Sequence, residues 1–468
     1  MSSPAAPARD PLQHELARYA LGFEYDALPP EIVEWSKQTL LDTLGCAIVG
    51  YASDPSRIAR SVFGEIGGVP ESTVIGSGQR LPCGAAAFVN GTMVRYEDLN
   101  DIYTRPLRVG HHSELIPTVL AVAERSGASG AEVLAAIVAG YEILGATVSH
   151  GTQMSGRNIL PFGAVASPIL AGRLLGLTEG QIVDAIGLSL SCNVVVMTWI
   201  GSARHHAAGA EAGMPMLKAS AWGSTAHHGI LSALLAQQGF TGPSDAVETY
   251  LDIMGIDRDD WWAPVPGAFT VIEYSMFKSY AAQALTNGAI EAAVRLVAGG
   301  RVDPDAVDAV VVHAFGDLLR LCDGPGSRRP ATREAADHSA PYVIAVALLE
   351  GDLLPPQYQR RQWEDPRVKA LMDKVEIVLD ESYDRRYRET GAMPVRIEVR
   401  TGDEVAVEAV DNPRGHPENP MTGDEVEDKF RRVVRPYLDA DRRQAVIDRV
   451  AALDRAPSVG SLMQALVV

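Results

Sequence analysis

From Leu12 to Gly239 the sequence is a succession of segments in which apolar residues recur at helical spacing. Each segment is closed by glycine or proline, and many are rich in alanine and glycine. Small side chains let helix axes approach closely, so this pattern predicts a large, closely packed helical core. In LPPEIVEWSKQTLLDTLGCAIVG, Pro29 and Pro30 mark a helix start. Further helices are predicted over 116–124, 131–147, 163–175 and 179–191. The last of these has Thr178 as its N-cap and Glu179 in its first turn.

The pattern changes near Trp261, where WWAPVPG reads as a linker. Beyond it, DAVVVHAF (Asp308 to Phe315) and KVEIVLD (Lys374 to Asp380) are β-branched runs. PVRIEVR, TGD and EVAVEAV (Pro394 to Val410) read together as a hairpin. Helical spacing returns in DEVEDKFRRVV and DRRQAVIDRVAAL. The fold class expected is therefore mainly α. A large all-helical domain (12–268) is interrupted by a smaller, inserted α+β lid domain (269–411), and the C-terminal helices (412–468) return to the first domain. A chain of 468 residues suits two such domains.

Composition narrows the function classes. With 41 basic against 59 acidic residues the net charge is −18, and no long basic block offsets it. Such a chain is poorly suited to nucleic acid or to an anionic membrane, so neither is expected as a partner. An anionic substrate would need a few local cations. Cys46, Cys83, Cys192 and Cys322 are far apart and form no C-x-x-C pair, which argues against a zinc ribbon and for a reducing compartment. The N-terminus lacks an apolar signal core, and the most apolar run, from Val133, is interrupted by Glu142. A cytoplasmic protein with no membrane span is expected.

The stretch YEDLNDIYTRPLRVGHHSELIPT (Tyr96 to Thr118) gathers carboxylates, cations and two adjacent histidines where a loop meets an apolar helix. Asp98 and Asp101 precede His111 and His112, and Pro117 belongs in the first turn of the helix that follows. Histidines at that place sit where backbone N–H groups favour an anion, and they exchange protons near neutral pH. A solvated loop is the plainer alternative. Lys218 stands alone in GMPMLKASAWGSTA; a buried ammonium there needs a partner such as a substrate carboxylate, whereas one at a helix edge would snorkel to water. ADHSAPYVIAVAL places Asp337, His338, Ser339 and Tyr342 in the turn before another buried helix, where a packed tyrosine is the common explanation. The pairs His111–His112, His205–His206 and His227–His228 point apart on a helix, and no H-x-x-x-H occurs, so no metal site is expected. Dinucleotide-binding, Walker and serine-hydrolase motifs are absent from the sequence.

Seven stretches resemble, in order, the MmgE/PrpD family: LLDTLGCAIVG, NGTMVRYEDLND, GHHSELIPTVLAVAE, AGRLLGLTEGQIVDAIGLSLS, LKASAWGSTAHHGILSALLAQQGFTGP, ADHSAPYVIAVALLEGDL and GHPENPMTGDEVEDKF. The chain is most similar to the 2-methylcitrate dehydratase branch, a relative of cis-aconitate decarboxylase and iminodisuccinate epimerase. The resemblance implies a helical domain with an α+β lid, a homodimer, and cofactor-free acid/base chemistry on a small carboxylic acid. It places Asp98, His111, Lys218 and Tyr342 on catalytic positions and suggests Asp101, His112, Lys278 and His338 as substrate contacts. The implied activity is a carbon–oxygen lyase that dehydrates 2-methylcitrate or a related hydroxy-carboxylate. A decarboxylase or epimerase of a less polar acid, or a non-catalytic scaffold, is the alternative. The sequence departs from the family where Ile102 replaces a common threonine and His112 a common proline. RNILPFG stands where a second histidine is usual, and Ala284-Leu285 where the branch has Tyr-His. A pocket that has lost polar contacts should reject a heavily carboxylated ligand.

Overall fold

The computed structural model describes residues 10–105, 108–147, 160–192, 214–265 and 269–468. Their architecture is mostly helical, with three small sheets. The helices of the N-terminal part that frame the site are Pro30–Gly50, Cys83–Tyr96, Ile116–Ser126, Gly130–Thr147, Leu160–Leu174 and Leu217–Gln237. Pro30 occupies the first turn of its helix with Pro29 as N-cap, and Thr178 caps Glu179–Cys192 by accepting from the Gln181 amide at 3.3 Å. The alanine- and glycine-rich composition has the consequence predicted from it. A Cβ on Gly50 would lie 2.1 Å from the Met93 carbonyl oxygen, and one on Gly223 would lie 2.6 Å from that of Phe88. Helix Cys83–Tyr96 is therefore packed nearly backbone to backbone against both Pro30–Gly50 and Leu217–Gln237. Gly130–Thr147 is long and apolar enough to cross a membrane by length and composition, yet 89 % of that window is buried among the other helices.

The N-terminal part is not all-helical. Ser72–Thr73 pairs with Arg80–Leu81, and Ile102–Arg105 lies between Arg108–Gly110 and Ser275–Met276 in a three-stranded sheet. These strands span two to four residues, too short for alternation to be read from sequence. Their effect on the site is direct. Ile102 pairs with Met276, so the strand that follows the Asp98 loop carries Lys278 in beside it.

The strands expected beyond Trp261 form one four-stranded sheet, ordered Val375–Leu379, Ala309–Ala314, Val395–Thr401, Glu404–Val410. The first pair is parallel and the others antiparallel. The hairpin runs in register from Val395–Val410 to Thr401–Glu404 around Gly402, whose φ is +59°. Helix Asn287–Ala298 covers this sheet and packs on Ala340–Glu350. The C-terminal helix Gly423–Val434 starts with a Thr422–Glu425 capping box and returns to Pro30–Gly50, with Phe430 and Val433 against Gly45. That return brings Lys429 under the Asp98 loop.

Candidate active site

Four chain segments converge on Asp98. The helix Cys83–Tyr96 ends just before it, and Asp98 itself turns the chain with φ +49°, in the left-handed region that a residue with a Cβ rarely adopts. Its backbone oxygen accepts from Lys278 Nζ at 2.7 Å, and the next carbonyl, Leu99, accepts from Lys429 Nζ at 3.0 Å. Two buried ammonium groups thus hold the strained turn from below.

The Asp98 carboxylate is surrounded by cations. Lys278 Nζ is 2.5 Å and Arg95 Nη1 3.0 Å from Oδ1, while Lys218 Nζ is 3.2 Å and His338 Nδ1 3.7 Å from Oδ2. Burial by itself would raise its proton affinity, but Arg95, Lys278 and Lys218 outweigh burial and hold the carboxyl well below the ordinary range. Asp337, in the turn before Ala340–Glu350, is the second anion. Lys218 Nζ lies 2.5 and 2.6 Å from its oxygens, Arg333 donates to it one helical turn away, and His338 Nδ1 is 2.5 Å distant. Burial again opposes ionisation and the charges of Lys218 and Arg333 override it, so Asp337 is also ionised. Arg333 continues to Glu97 at 2.8 Å and lies between the rings of Tyr96 and Tyr358, 4.9 and 4.3 Å from their centroids. The donor atoms of Asp98, Asp337 and His338 fall within 4.8 Å of one another, a spacing that would suit a cation. The ammonium of Lys218 fills that seat.

Beside this ion network sits a second cluster, made of His111, Glu114, His112 and Asp101. His111 is partly buried, its side chain 16 % exposed, and desolvation followed by the positive charges of Arg95 and Lys278 lowers its pKa well below the usual histidine value, leaving the ring uncharged at neutral pH. Its Nδ1 has no hydrogen-bond partner among the described residues and lies 4.0 Å from Glu114 Oε1. Burial pushes Glu114 up to about 8 against the opposing charge of Arg95, whose Nε is 3.2 Å away. His112 is stacked on Tyr103, with centroids 4.4 Å apart, and burial lowers it to about 3. Asp101 accepts from Tyr141 Oη at 2.7 Å, and burial raises it to about 6. The Tyr342 hydroxyl is buried and has no hydrogen-bond partner among the described residues.

The plainer reading of the Tyr96–Thr118 stretch, a solvated loop, is excluded for its acids and for His112: Asp98, Asp101, His112 and Glu114 are each at most 1 % exposed. Asp98, Lys218, Lys278 and His338 meet in one ion network. His111 borders it through Arg95 and Glu114. Asp101 and His112 lie instead in a packed layer with Tyr141 and Tyr103, and Tyr342 stands on the neighbouring helix with its ring 5.8 Å from Tyr358. Lys218 finds its partner in Asp337 within the chain. Ile102 and Leu285 are 2 % and 3 % exposed and belong to the hydrophobic core. His205–His206 and residues 157–159 of RNILPFG lie outside the described residues. Sequence reasoning missed Arg95, Glu97, Glu114 and Arg333. Two of them had a readable signal, since Arg95 is three residues before Asp98 and Arg333 four before Asp337, both spacings that bring side chains together on a helical turn.

Two domain descriptions match almost the whole chain: the MmgE/PrpD N-terminal domain over residues 14–254 and the MmgE/PrpD C-terminal domain over residues 280–454. The chain belongs to the MmgE/PrpD family. Within it, the chain is 26 % identical to a cis-aconitate decarboxylase of Aspergillus terreus over 495 residues, covering 98 % of this chain and 96 % of that one. It is 27 % identical to a 2-methylcitrate dehydratase of Cupriavidus necator over 450 residues, covering 90 % and 89 %. A 2-methylcitrate dehydratase of Escherichia coli K12 is 26 % identical, covering 89 % and 88 %. This MmgE/PrpD protein is thus about equally similar to relatives named for two different lyase reactions.

Proposed function

We propose that the chain is a lyase acting on a small carboxylic acid by acid/base catalysis, with dehydration of 2-methylcitrate or a related hydroxy-carboxylate as its leading reaction. The observation that carries this reading is the set of cations fixed in the buried site. Arg95, Lys218, Lys278 and Arg333 lie there among Asp98, Asp337, Glu97 and Glu114, beside the uncharged ring of His111. Charge that develops on a ligand carboxylate would meet cations already in place.

The proposed roles follow from charge and position. Abstraction of a proton next to a carboxylate builds charge on that carboxylate, and cations fixed beforehand lower the barrier. His111, with its ring uncharged, is the base. Lys278 and Lys429 hold the strained turn at Asp98, Lys218 and Lys278 supply the positive field, and His338 is oriented by Asp337. The unpartnered hydroxyl of Tyr342 donates to an oxyanion or leaving group. In this reading residues 269–411 act as a lid that excludes water from the cleft, the enzyme is a homodimer in the cytoplasm, and it needs no cofactor.

A second reading is decarboxylation or epimerisation of a less carboxylated acid. It is favoured by Ile102 and Leu285, buried apolar residues at two positions where the resemblance to the dehydratase branch implies polar side chains. Proton NMR of metal-free incubations with 2-methylcitrate, citrate and cis-aconitate separates the two. An unsaturated product from a hydroxy acid supports dehydration, and itaconate from cis-aconitate supports decarboxylation. In either case His111→Ala should lower turnover about 10²–10⁴-fold. Unchanged turnover in that variant would remove His111 from the chemistry.

A further inference from the structure

Glu114 is a buried acid of the site with no role in the proposed reaction. It lies in the one-turn helix His112–Leu115, and neither carboxylate oxygen has a hydrogen-bond partner among the described residues. Its neighbour across a 4.0 Å gap is His111 Nδ1, which is equally unpartnered. Arg95 stands between the two halves of the site, with Nη1 3.0 Å from Asp98 and Nε 3.2 Å from Glu114. Asp98 is ion-paired to Lys278 and Lys218 as well, so among the described residues Glu114 is ion-paired to a cation that it shares. A buried carboxylate with so little support readily takes up a proton. The imidazole is in the opposite position: set among Arg95 and Lys278, it is poorly placed to keep a positive charge.

We propose that Glu114 is the proton partner of His111, accepting at its carboxylate the proton that the imidazole takes from substrate. The proposal rests on the acid/base reading of the site. As one ring nitrogen receives the proton, the C–H bond breaks and its electron pair stays on the substrate. The N–H bond at Nδ1 breaks in turn and its proton forms an O–H bond on Glu114. The ring ends neutral, Glu114 ends as a carboxylic acid, and the negative charge has moved from Glu114 to the substrate. A small side-chain movement closes the 4.0 Å gap, as catalytic hydrogen bonds commonly do when ligand binds.

The groups facing the pair are Arg95, Asp98, Asp101, Lys278 and His338, with Asp42, Tyr141 and Lys218 on other helices packed against the turn. Charges on the remaining two helices are engaged elsewhere: Arg173 with the Ala20 and Phe23 carbonyls, Glu124 with Thr73, and Arg125 with Glu71. Burial raises Glu114 to about 8, so its carboxylate form, the acceptor, grows as pH rises toward and past that value. Turnover should therefore climb with pH to a plateau above about 8.

The test is nitrogen NMR of the full chain carrying labelled histidine rings, titrated from about pH 6 to 9 without substrate. The His111 signals are identified by their loss in His111→Asn. The expected result is a step in the His111 shifts near the Glu114 transition, absent in Glu114→Gln and retained, displaced, in Glu114→Asp. Glu114→Gln should also lose about a hundredfold in turnover and the rise with pH. Identical His111 titrations in wild type and Glu114→Gln would overturn the proposal whatever the turnover. The step observed in a protein that turns over none of the acids would support the pair and count against the lyase reading.

Discussion

Lys429→Met removes one ammonium from below the Asp98 loop and leaves its aliphatic stem in place. In the wild-type chain Lys429 Nζ lies 2.5 Å from Asp42 Oδ1 and 3.0 Å from the Leu99 carbonyl oxygen, and both side chains are buried. Loss of the Leu99 bond, one to a charged donor, should cost about 1.5–3 kcal/mol at any pH. Loss of the ion pair has a different signature. An unpaired buried carboxylate escapes by taking up a proton, at about 1.4 kcal/mol per pH unit above its unfolded value of about 3.9. That is at most about 4 kcal/mol at pH 7 and about 1.5 kcal/mol at pH 5. Burial already raises Asp42 in the wild type while Lys429 opposes it, so deleting Lys429 raises it further. A carboxyl whose folded value exceeds its unfolded one binds more protons when folded, so stability falls as pH rises between the two. Urea unfolding should therefore show a loss up to about 2.5 kcal/mol larger at pH 7 than at pH 5. Adding Asp42→Asn should abolish that difference. Equal losses at both pH values, or a difference that persists in the double variant, would refute the argument.

Two further outcomes follow from the same geometry. Tyr342→Phe removes a buried hydroxyl that has no partner in the described residues, so thermal unfolding should leave its midpoint unchanged or raised while turnover falls; a clear loss of stability would mean that the hydroxyl is structurally bonded. Gly50→Ala would set a Cβ 2.1 Å from the Met93 carbonyl oxygen and should cost about 3 kcal/mol, whereas Gly180→Ala meets nothing within 4 Å in the first turn of its helix and should be neutral or gain about 0.5 kcal/mol; denaturant midpoints of the two variants would check the contrast.

Much of the secondary structure is legible because its causes are local. Pro29-Pro30, Thr178-Glu179 and the TGD turn fix helix starts and a hairpin within a few residues of themselves, and the structure has each where the sequence puts it. The acid/base stretch is equally visible, since adjacent histidines and carboxylates before an apolar helix are a local composition. Which charges pair with which is not local. Lys218 and Asp337 are 119 positions apart, Lys278 and Asp98 are 180, and Lys429 and Leu99 are 330. No periodicity encodes those distances. They arise from helices brought close by glycine and from the return of the C-terminal helix to Pro30–Gly50. The titration behaviour follows the same division. The sequence supplied the ionisable groups of Asp98, His111 and Glu114. Only burial in the folded chain, together with the unequal share of cations each receives there, decided that Asp98 is held ionised, His111 neutral and Glu114 ready to hold a proton.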